Sequence, residues 1–141
     1  MIVWLNGTFG CGKTATDVEL QSLIPSSRLF DPETVEYMLR PNLAGHPVSD
    51  FQYWSPWRPL VVATATELAR FTGQHLITPQ TILARDYLEQ IFAGLRDAES
   101  AVFHVVLDAD QKYCASAFVP PTKHGPGGWR IWPTTRRRVR G

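Results

Sequence analysis

The sequence predicts an α/β fold, with a parallel sheet flanked by helices. Short apolar runs with the length of buried strands alternate along the chain with longer segments whose apolar residues recur at helical spacing. Alternating strands and helices are typical of parallel sheets, because each helix carries the chain back to the same end of the sheet. The alternation continues to about residue 110, and no periodic pattern follows it.

The first predicted unit is a strand at 2–6, a glycine-rich loop and a helix at 14–23. The strand is a continuous run of β-forming apolar residues that a glycine ends, as expected of a buried parallel strand. Val18 and Leu23 are among the apolar residues that indicate the buried face of the helix, and Pro25 ends it.

The second predicted unit is a short strand at 28–30 and a helix that begins near Pro32, a residue suited to the first helical turn. Asp31 is placed to cap this helix, and Pro41 is expected to end it. The remaining predicted elements are, in order, a loop rich in proline and aromatic residues at 41–57, a helix at 59–71 with Phe71 on its apolar face, a strand at 75–78 ended by Pro79, a helix at 82–95 and a strand at 102–107.

Composition indicates a single globular domain. The chain has 141 residues, of which 44% are hydrophobic and 19% charged. No apolar run approaches the roughly 18 residues that a membrane-spanning helix needs, so we expect no transmembrane segment. The two cysteines, Cys11 and Cys114, form neither a disulfide framework nor a metal-binding spacing. A reducing, cytoplasmic location is therefore expected.

The loop after the first strand carries the strongest functional signal. It matches the phosphate-binding motif G-x-x-x-x-G-K-[S/T] at every fixed position, with the residues Gly7, Thr8, Phe9, Gly10, Cys11, Gly12, Lys13 and Thr14. Glycines let the backbone N–H groups turn toward phosphate oxygens, and the following helix adds the positive end of its dipole. The lysine is expected to reach the β- and γ-phosphates and the threonine hydroxyl to bind Mg²⁺. A chance match is disfavoured because the motif follows a strand and precedes a helix.

Asp31 is the predicted carboxylate partner of this loop. It follows the second strand, at the edge where open α/β sheets place their ligands. It can act as a general base toward an acceptor or, alternatively, hold Mg²⁺ through water. The other interpretation is that it merely caps its helix, and a functional role and the cap can both hold. Glu33 is a weaker candidate, since an acid in a first helical turn commonly interacts with the helix dipole.

The third strand ends without the acidic residue that often binds the metal in such folds. Gln80 follows it and contacts a substrate, orients a water molecule or belongs to a structural turn. Asp108 and Asp110 follow the last strand and either lie near the nucleotide or, as the favoured interpretation, are solvated loop acids. The loop at 41–57 and the adjoining arginine form either a stacking pocket for a flat or apolar substrate or a hydrophobic cluster that packs the loop, through Phe51, Tyr53, Trp54, Trp57 and Arg58.

Three segments together resemble the tunicamycin resistance protein family, an ATP-binding branch of the P-loop small-molecule kinases. They are MIVWLNGTFG at 1–10, LFDPE at 29–33 and WRPL at 57–60, and the resemblance extends over about residues 1–110. It implies a kinase-like fold of the P-loop NTPase type, ATP bound at residues 7–14 and a substrate region near Asp31 and the aromatic loop.

The C-terminal part differs from this family. Residues 111–141 contain seven basic residues and no acidic one, whereas all thirteen acidic residues lie at or before Asp110. The resemblance implies a helix here whose arginines close over the phosphates. The sequence as written has no such arginine-bearing helix. Shifted codon readings of two stretches permit helical sequences, the first with arginines, so we expect a frameshift near residues 111–113. The chain is thus divided into an incomplete nucleotide-binding domain at 1–110 and an irregular basic tail at 111–141.

Three functions remain open at this point. The chain is an ATP-dependent small-molecule kinase with Lys13 and Asp31 at its catalytic centre, a resistance protein that binds nucleotide and ligand without phosphoryl transfer, or an inactive truncated product. Its expected partners are a nucleotide and a small-molecule acceptor. The arginines at 136–140 are typical of nucleic-acid or membrane-surface contacts, but a frame-shifted tail needs no function, and we expect no nucleic-acid partner.

Overall fold

The computed structural model describes residues 1–108. This part of the chain contains four strands and four helices, which alternate except where the second and third helices follow one another with a short 3₁₀ turn at Phe51–Tyr53 between them. The elements are β1 (Ile2–Gly7), α1 (Lys13–Leu23), β2 (Ser27–Leu29), α2 (Glu33–Asn42), α3 (Trp57–Thr72), β3 (His75–Gln80), α4 (Arg85–Asp97) and β4 (Val102–Leu107). The predicted α/β fold is confirmed.

All strand pairings in this part of the chain are parallel, and the sheet order is β2-β3-β1-β4. β1 is therefore an inner strand, in register with β3 at Ile2 and Leu76 and with β4 at Ile2 and Val102. Every residue of β1 is buried. This explains why its sequence is a continuous apolar run without polar alternation. Its carboxyl end delivers the glycine-rich loop to the edge where β3 also ends.

The two faces of the sheet pack against different helices. Ile2 and Trp4 of β1 belong to the larger core, together with apolar residues of α2, α3 and α4. Val3 and Leu5 face the other way and pack with Leu20 of α1. Alternate residues of one strand thus supply both layers, as the pleat of a strand requires.

Two prolines do not end their elements as predicted. Pro41 lies inside α2, which ends at Asn42. Pro79 lies inside β3, paired with Leu5 of β1. Two residues earlier in β3, the carbonyl of Ile77 points toward β2 and accepts a hydrogen bond from the Phe30 N–H. The backbone of Pro79 faces β2 as well, but the pairing of β2 with β3 ends at Ile77. The N–H group that proline lacks is therefore not needed for a hydrogen bond between these strands.

Three apolar residues assigned to buried helix faces are exposed. Val18 and Leu23 of α1 are 53% and 71% exposed, and Phe71 of α3 is 92% exposed. α3 buries Trp57 and Val61 instead.

The remaining predictions for the chain end fall on residues 109–141, including Asp110 and the basic tail at 111–141, and lie outside the described residues. Within residues 1–108, no helix combines the length and the hydropathy that crossing a membrane requires.

Candidate functional site

The glycine-rich loop joins β1 directly to α1. Gly10 and Gly12 have φ angles of 78° and 96°, in the left-handed region that residues with a side chain rarely adopt. Gly12 immediately precedes α1, and its carbonyl accepts the N–H groups of Ala15 and Thr16 at 3.1 and 3.0 Å. The glycine positions of the motif therefore shape a turn that opens at a helix N-terminus, where anions bind favourably.

Gly7 is required for a different reason, close approach. A Cβ atom at this position would lie 2.7 Å from the carbonyl oxygen of Leu107 and 2.6 Å from Sγ of Cys11. Leu107 is the end of β4 and is paired with Gly7. The absence of a side chain lets the loop fold back over the strand end.

Lys13 is held by the loop that it belongs to. Its Nζ donates hydrogen bonds to the carbonyl oxygens of Gly7 and Thr8, both at 2.8 Å, and lies 5.7 Å from the ring centroid of Phe9. The ammonium group is thus held within the loop by the loop's own backbone. Thr14 follows in the first turn of α1 and is exposed.

Asn6 and Thr81 fasten the loop to the segment after β3. The Asn6 amide donates to the carbonyl of Ile82 and accepts from its N–H, both at 2.9 Å. The Thr81 hydroxyl donates to the carbonyl of Gly7 at 2.8 Å. Sequence reasoning missed both residues. The available signal was a polar residue, Asn6, at the end of an apolar strand.

Carboxyl groups gather at the start of α2. Asp31 accepts a hydrogen bond from the Glu33 N–H at 2.9 Å, which confirms the predicted helix cap. Burial raises the pKa of Asp31, and the charge of Glu36 raises it further. Burial likewise raises the pKa of Asp17, a buried residue of α1, to which the charge of Asp31 contributes. The carboxyl groups of Asp17 on α1 and Asp31 before α2 are thus close enough for their charges to interact.

A cavity of about 260 Å³ adjoins the loop. Its lining includes Phe9 of the loop and Glu33 of α2, together with residues that follow β3 and one residue, Tyr87, of α4. Burial also raises the pKa of Glu33, an effect that the charges of Asp31 and Glu36 reinforce and that of Lys13 opposes. Glu33 is therefore part of this cavity wall, whereas Asp31 is not among its lining residues.

The aromatic loop divides between the two predicted roles. Phe51 and Tyr53 line the cavity. Trp57 is completely buried in the core, and its Nε1 donates to the carbonyl of Pro32 at 3.2 Å. Trp54 packs against the core and donates to a backbone carbonyl of the same loop. The loop is therefore part pocket and part structural cluster.

Arg58 packs against Tyr87, which lines the cavity, although Arg58 itself does not. The Arg58 guanidinium lies 4.2 Å from the centroid of the Tyr87 ring and donates to the Gln52 carbonyl at 2.6 Å. Tyr87 of α4 lines the cavity and was not predicted from the sequence. A second cavity, of about 450 Å³, lies between α3 and α4 and contains Arg58 in its wall, but no residue of the glycine-rich loop.

Gln80 is the polar residue at the end of β3 that the sequence linked to substrate or turn. It is 3% exposed and lines the cavity. Its Oε1 is buried and has no hydrogen-bond partner within residues 1–108. Asp108, beyond β4, is exposed.

Solved structures with this architecture include kinases. The tunicamycin resistance protein of Deinococcus radiodurans is 30% identical, with a TM-score of 0.65 over 74% of this chain and 61% of its own. The APS kinase of Mycobacterium tuberculosis, solved with AMPPNP and APS, is 22% identical, with a TM-score of 0.58 over 82% of this chain and 66% of its own. This chain has the P-loop kinase fold. A gluconokinase from Sinorhizobium meliloti shares the fold at 14% identity and a TM-score of 0.56, over 82% of this chain and 61% of its own.

The predicted resemblance to the tunicamycin resistance protein family is confirmed by the first of these comparisons. The P-loop kinase fold of this chain spans less than two thirds of the length of the Deinococcus protein. No protein-family model matches the chain, and no curated protein matches it.

The residues of the loop fit a nucleotide-bound Mg²⁺. The Thr14 hydroxyl and the Asp31 carboxylate are oxygen ligands of the kind that Mg²⁺ prefers. Among residues 1–108, no group of three or more His, Cys, Asp or Glu side chains could hold a metal ion. A metal here would depend on phosphate oxygens and water for its other ligands, as is usual for Mg²⁺ with nucleotides. The roles of Thr14 and Asp31 remain predictions.

Proposed function

We propose that this chain is an ATP-dependent small-molecule kinase of the tunicamycin resistance type. In this proposal residues 7–14 bind the phosphates of ATP, and the cavity beside them takes the acceptor. The observation that carries it is a shared cavity wall. Phe9 of the glycine-rich loop, called from here the phosphate loop, and the carboxylate residue Glu33 at the start of α2 line the same cavity of about 260 Å³.

Lys13 supports the phosphate half of the proposal. Its Nζ is held at 2.8 Å from two loop carbonyls, so a phosphate group that enters the loop finds the charge already in position. The Thr14 hydroxyl and, through water, the Asp31 carboxylate would hold Mg²⁺, which when bound neutralises charge on the phosphates.

Asp31 is the predicted base for the acceptor, and it lies outside the residues that line the cavity. Burial raises the pKa of this carboxyl and so makes its ionised form a stronger base than an ordinary aspartate. As the acceptor oxygen forms its bond to the γ-phosphorus, its proton passes to the carboxylate, the β–γ bond breaks and ADP leaves. Glu33, which lines the cavity itself, is the second candidate for this proton.

A sequestering protein is the second candidate function. None of the arginines in the described part of the chain lines the cavity beside the loop. Phosphoryl transfer commonly relies on arginines that stabilise the developing charge. The segment in which the family resemblance implies them lies beyond residue 110, outside the described residues. Binding of nucleotide and ligand without turnover fits this observation.

Acceptor-dependent ADP formation tests the choice. The purified chain is incubated with ATP, Mg²⁺ and candidate acceptors, tunicamycin included. A kinase gives ADP only with an acceptor, and Asp31→Asn lowers the rate by about 100-fold or more if Asp31 is the base. If Glu33 is the base, Glu33→Gln lowers the rate by this factor instead. Asp97→Asn, at the exposed end of α4, is the matched control and is expected to leave the rate unchanged. ATP binding without acceptor-dependent ADP would contradict the kinase and support the sequestering protein.

A further inference from the structure

The cavity beside the phosphate loop, called here the acceptor cavity, carries negative side chains and no positive ones. Glu33 contributes a carboxylate from α2, and Asp50 contributes another from the residue before the 3₁₀ turn. No lysine or arginine of residues 1–108 lines it. Within the wall that residues 1–108 form, an anionic ligand would therefore meet two carboxylates and no cation.

The nearest positive side chains are already engaged. Lys13 donates to two carbonyls of the phosphate loop, where it is positioned for the nucleotide. Arg58 donates to the Gln52 carbonyl at 2.6 Å and to the Gln90 side chain at 2.7 Å. Neither side chain belongs to the cavity wall. The charge of Lys13 does reach Glu33 and lowers its pKa, but this effect is smaller than those of Asp31 and Glu36, which raise it.

Gln80 adds a requirement of a different kind. Its side chain is almost completely buried, it lines the cavity, and its Oε1 accepts no hydrogen bond from the described residues. A buried carbonyl oxygen without a donor is unfavourable, and a ligand donor would remove that penalty. Phe51 and Tyr53 offer apolar ring surface in the same cavity.

We infer that the acceptor cavity selects a compound without an anionic group, uncharged or cationic, that donates an N–H or O–H hydrogen bond to Gln80 Oε1, and that it rejects phosphorylated forms of the same compound. This inference rests on the proposed function, which assigns the cavity to the acceptor. It goes further because it places the chain before, and not after, any other step that phosphorylates the compound. Like charges brought together at a binding site oppose association, and this gives the selectivity.

Matched ligand pairs test the charge preference. The full chain is first saturated with AMPPNP and Mg²⁺, so that the nucleotide site cannot bind the probes. Ligand-observed NMR then gives dissociation constants for uridine against uridine 5′-monophosphate and for glucosamine against glucosamine 6-phosphate. We expect at least one unphosphorylated member to bind, and its phosphorylated partner to bind at least tenfold more weakly. A phosphorylated member that binds equally well or better would overturn the inference, and so would failure of all four probes to bind the AMPPNP-loaded chain.

Substitutions assign the preference to the named residues. The double variant Glu33→Gln, Asp50→Asn is expected to reduce the tenfold preference to less than threefold. Gln80→Met keeps the size of the side chain, removes the acceptor oxygen, and is expected to weaken the unphosphorylated ligand at least tenfold. Gln74→Met, outside the cavity, is its control and should change nothing. An unchanged preference in the double variant contradicts the inference.

The two proposals fail in distinguishable ways. If AMPPNP does not bind, the proposed nucleotide function fails, and the charge preference is then measured on the free chain, where it stands or falls by the same ratios. If AMPPNP binds and the ratios are absent, nucleotide binding stands and the acceptor inference fails.

Discussion

At the scale of single residues, Gly7 shows how tightly the loop is built against the sheet. Gly7→Ala would place a Cβ 2.7 Å from the Leu107 carbonyl oxygen and 2.6 Å from Cys11 Sγ. The backbone must then shift, and we expect a loss of about 1–3 kcal/mol in the free energy of unfolding, measured by urea denaturation. Gly45→Ala is the control, since nothing lies within 4 Å of its added Cβ. Equal effects of the two substitutions would contradict the close approach.

Asp17 gives a pH-dependent prediction at the same scale. Burial raises the pKa of this carboxyl above its ordinary value of 3.8, so ionisation destabilises the folded state. Its contribution to stability is present below the ordinary pKa and is lost as the pH rises through the raised one. We therefore expect Asp17→Asn to be more stable than the natural chain at pH 7, and expect this advantage to shrink as the pH falls toward 4.

Urea denaturation at both pH values measures this difference. Glu19→Gln makes the same charge change at an exposed position of α1 and is the control. An Asp17→Asn advantage that is absent at pH 7, or that grows toward pH 4, would show that burial does not dominate at Asp17.

The sequence predicted the loop residues but not their supports. Lys13 and Gly12 were predictable because phosphate chemistry imposes a fixed local spacing. Asn6 and Thr81 act through contacts with segments about 75 positions away, and nothing in their local sequence shows such a partner. Glu33 was ranked below Asp31 because local sequence shows that both lie at a helix start but not which one lines a cavity.

At the scale of elements, Trp57 joins α3 to the start of α2. Its indole N–H donates to the Pro32 carbonyl, and its ring packs edge-on against Phe51 at 5.1 Å between centroids. We expect Trp57→Phe to cost about 2–3 kcal/mol in the free energy of unfolding, because a buried carbonyl loses its donor and a void remains. Trp54→Phe is the matched control. Its bond to the His46 carbonyl is exposed, so the expected loss is below about 1 kcal/mol. Equal losses of stability in Trp57→Phe and Trp54→Phe would contradict the role of Trp57 in joining α3 to the start of α2.

Element positions were predictable because apolar runs and turn residues act locally, as the strand at 102–107 shows. The buried faces of the helices were less predictable than the positions of the elements. Phe71 fits the apolar spacing of α3 yet is 92% exposed, because its direction depends on how α3 lies across the sheet. Pro79 was predicted to end β3, but whether a proline fits a strand depends on which neighbour its missing N–H faces, and this is a property of sheet order.

At the scale of the whole molecule, the fold class followed from the alternation of elements, while the strand order β2-β3-β1-β4 did not. The strand order depends on which strand edges meet in the folded chain. Strands of similar apolar composition look alike in the local sequence, so the sequence does not show which of them pair. The acceptor cavity has the same origin, since it forms where the phosphate loop, the start of α2, the 3₁₀ turn, the end of β3 and the start of α4 converge.

Nucleotide binding should also be visible in the stability of the whole chain. A ligand that binds only the folded state at about 100 times its dissociation constant adds about 2.7 kcal/mol. We therefore expect AMPPNP with Mg²⁺ to raise the Tm by several degrees in a thermal melt. The same concentration of adenosine, which lacks the phosphates, is expected to leave the Tm unchanged, and an equal shift with adenosine would show that residues 7–14 do not provide the binding energy.

The central claim, that residues 7–14 bind nucleotide phosphates, is tested most directly by calorimetric titration of the chain with AMPPNP and Mg²⁺. We predict saturable binding at one site, and a loss of roughly tenfold to 100-fold in affinity for Lys13→Met, because a charged hydrogen-bond donor contributes about 1.5–3 kcal/mol. Arg96→Met, which removes an exposed cation at the end of α4, should bind as the natural chain does. Absence of binding, or equal affinity in Lys13→Met and the natural chain, would contradict the claim.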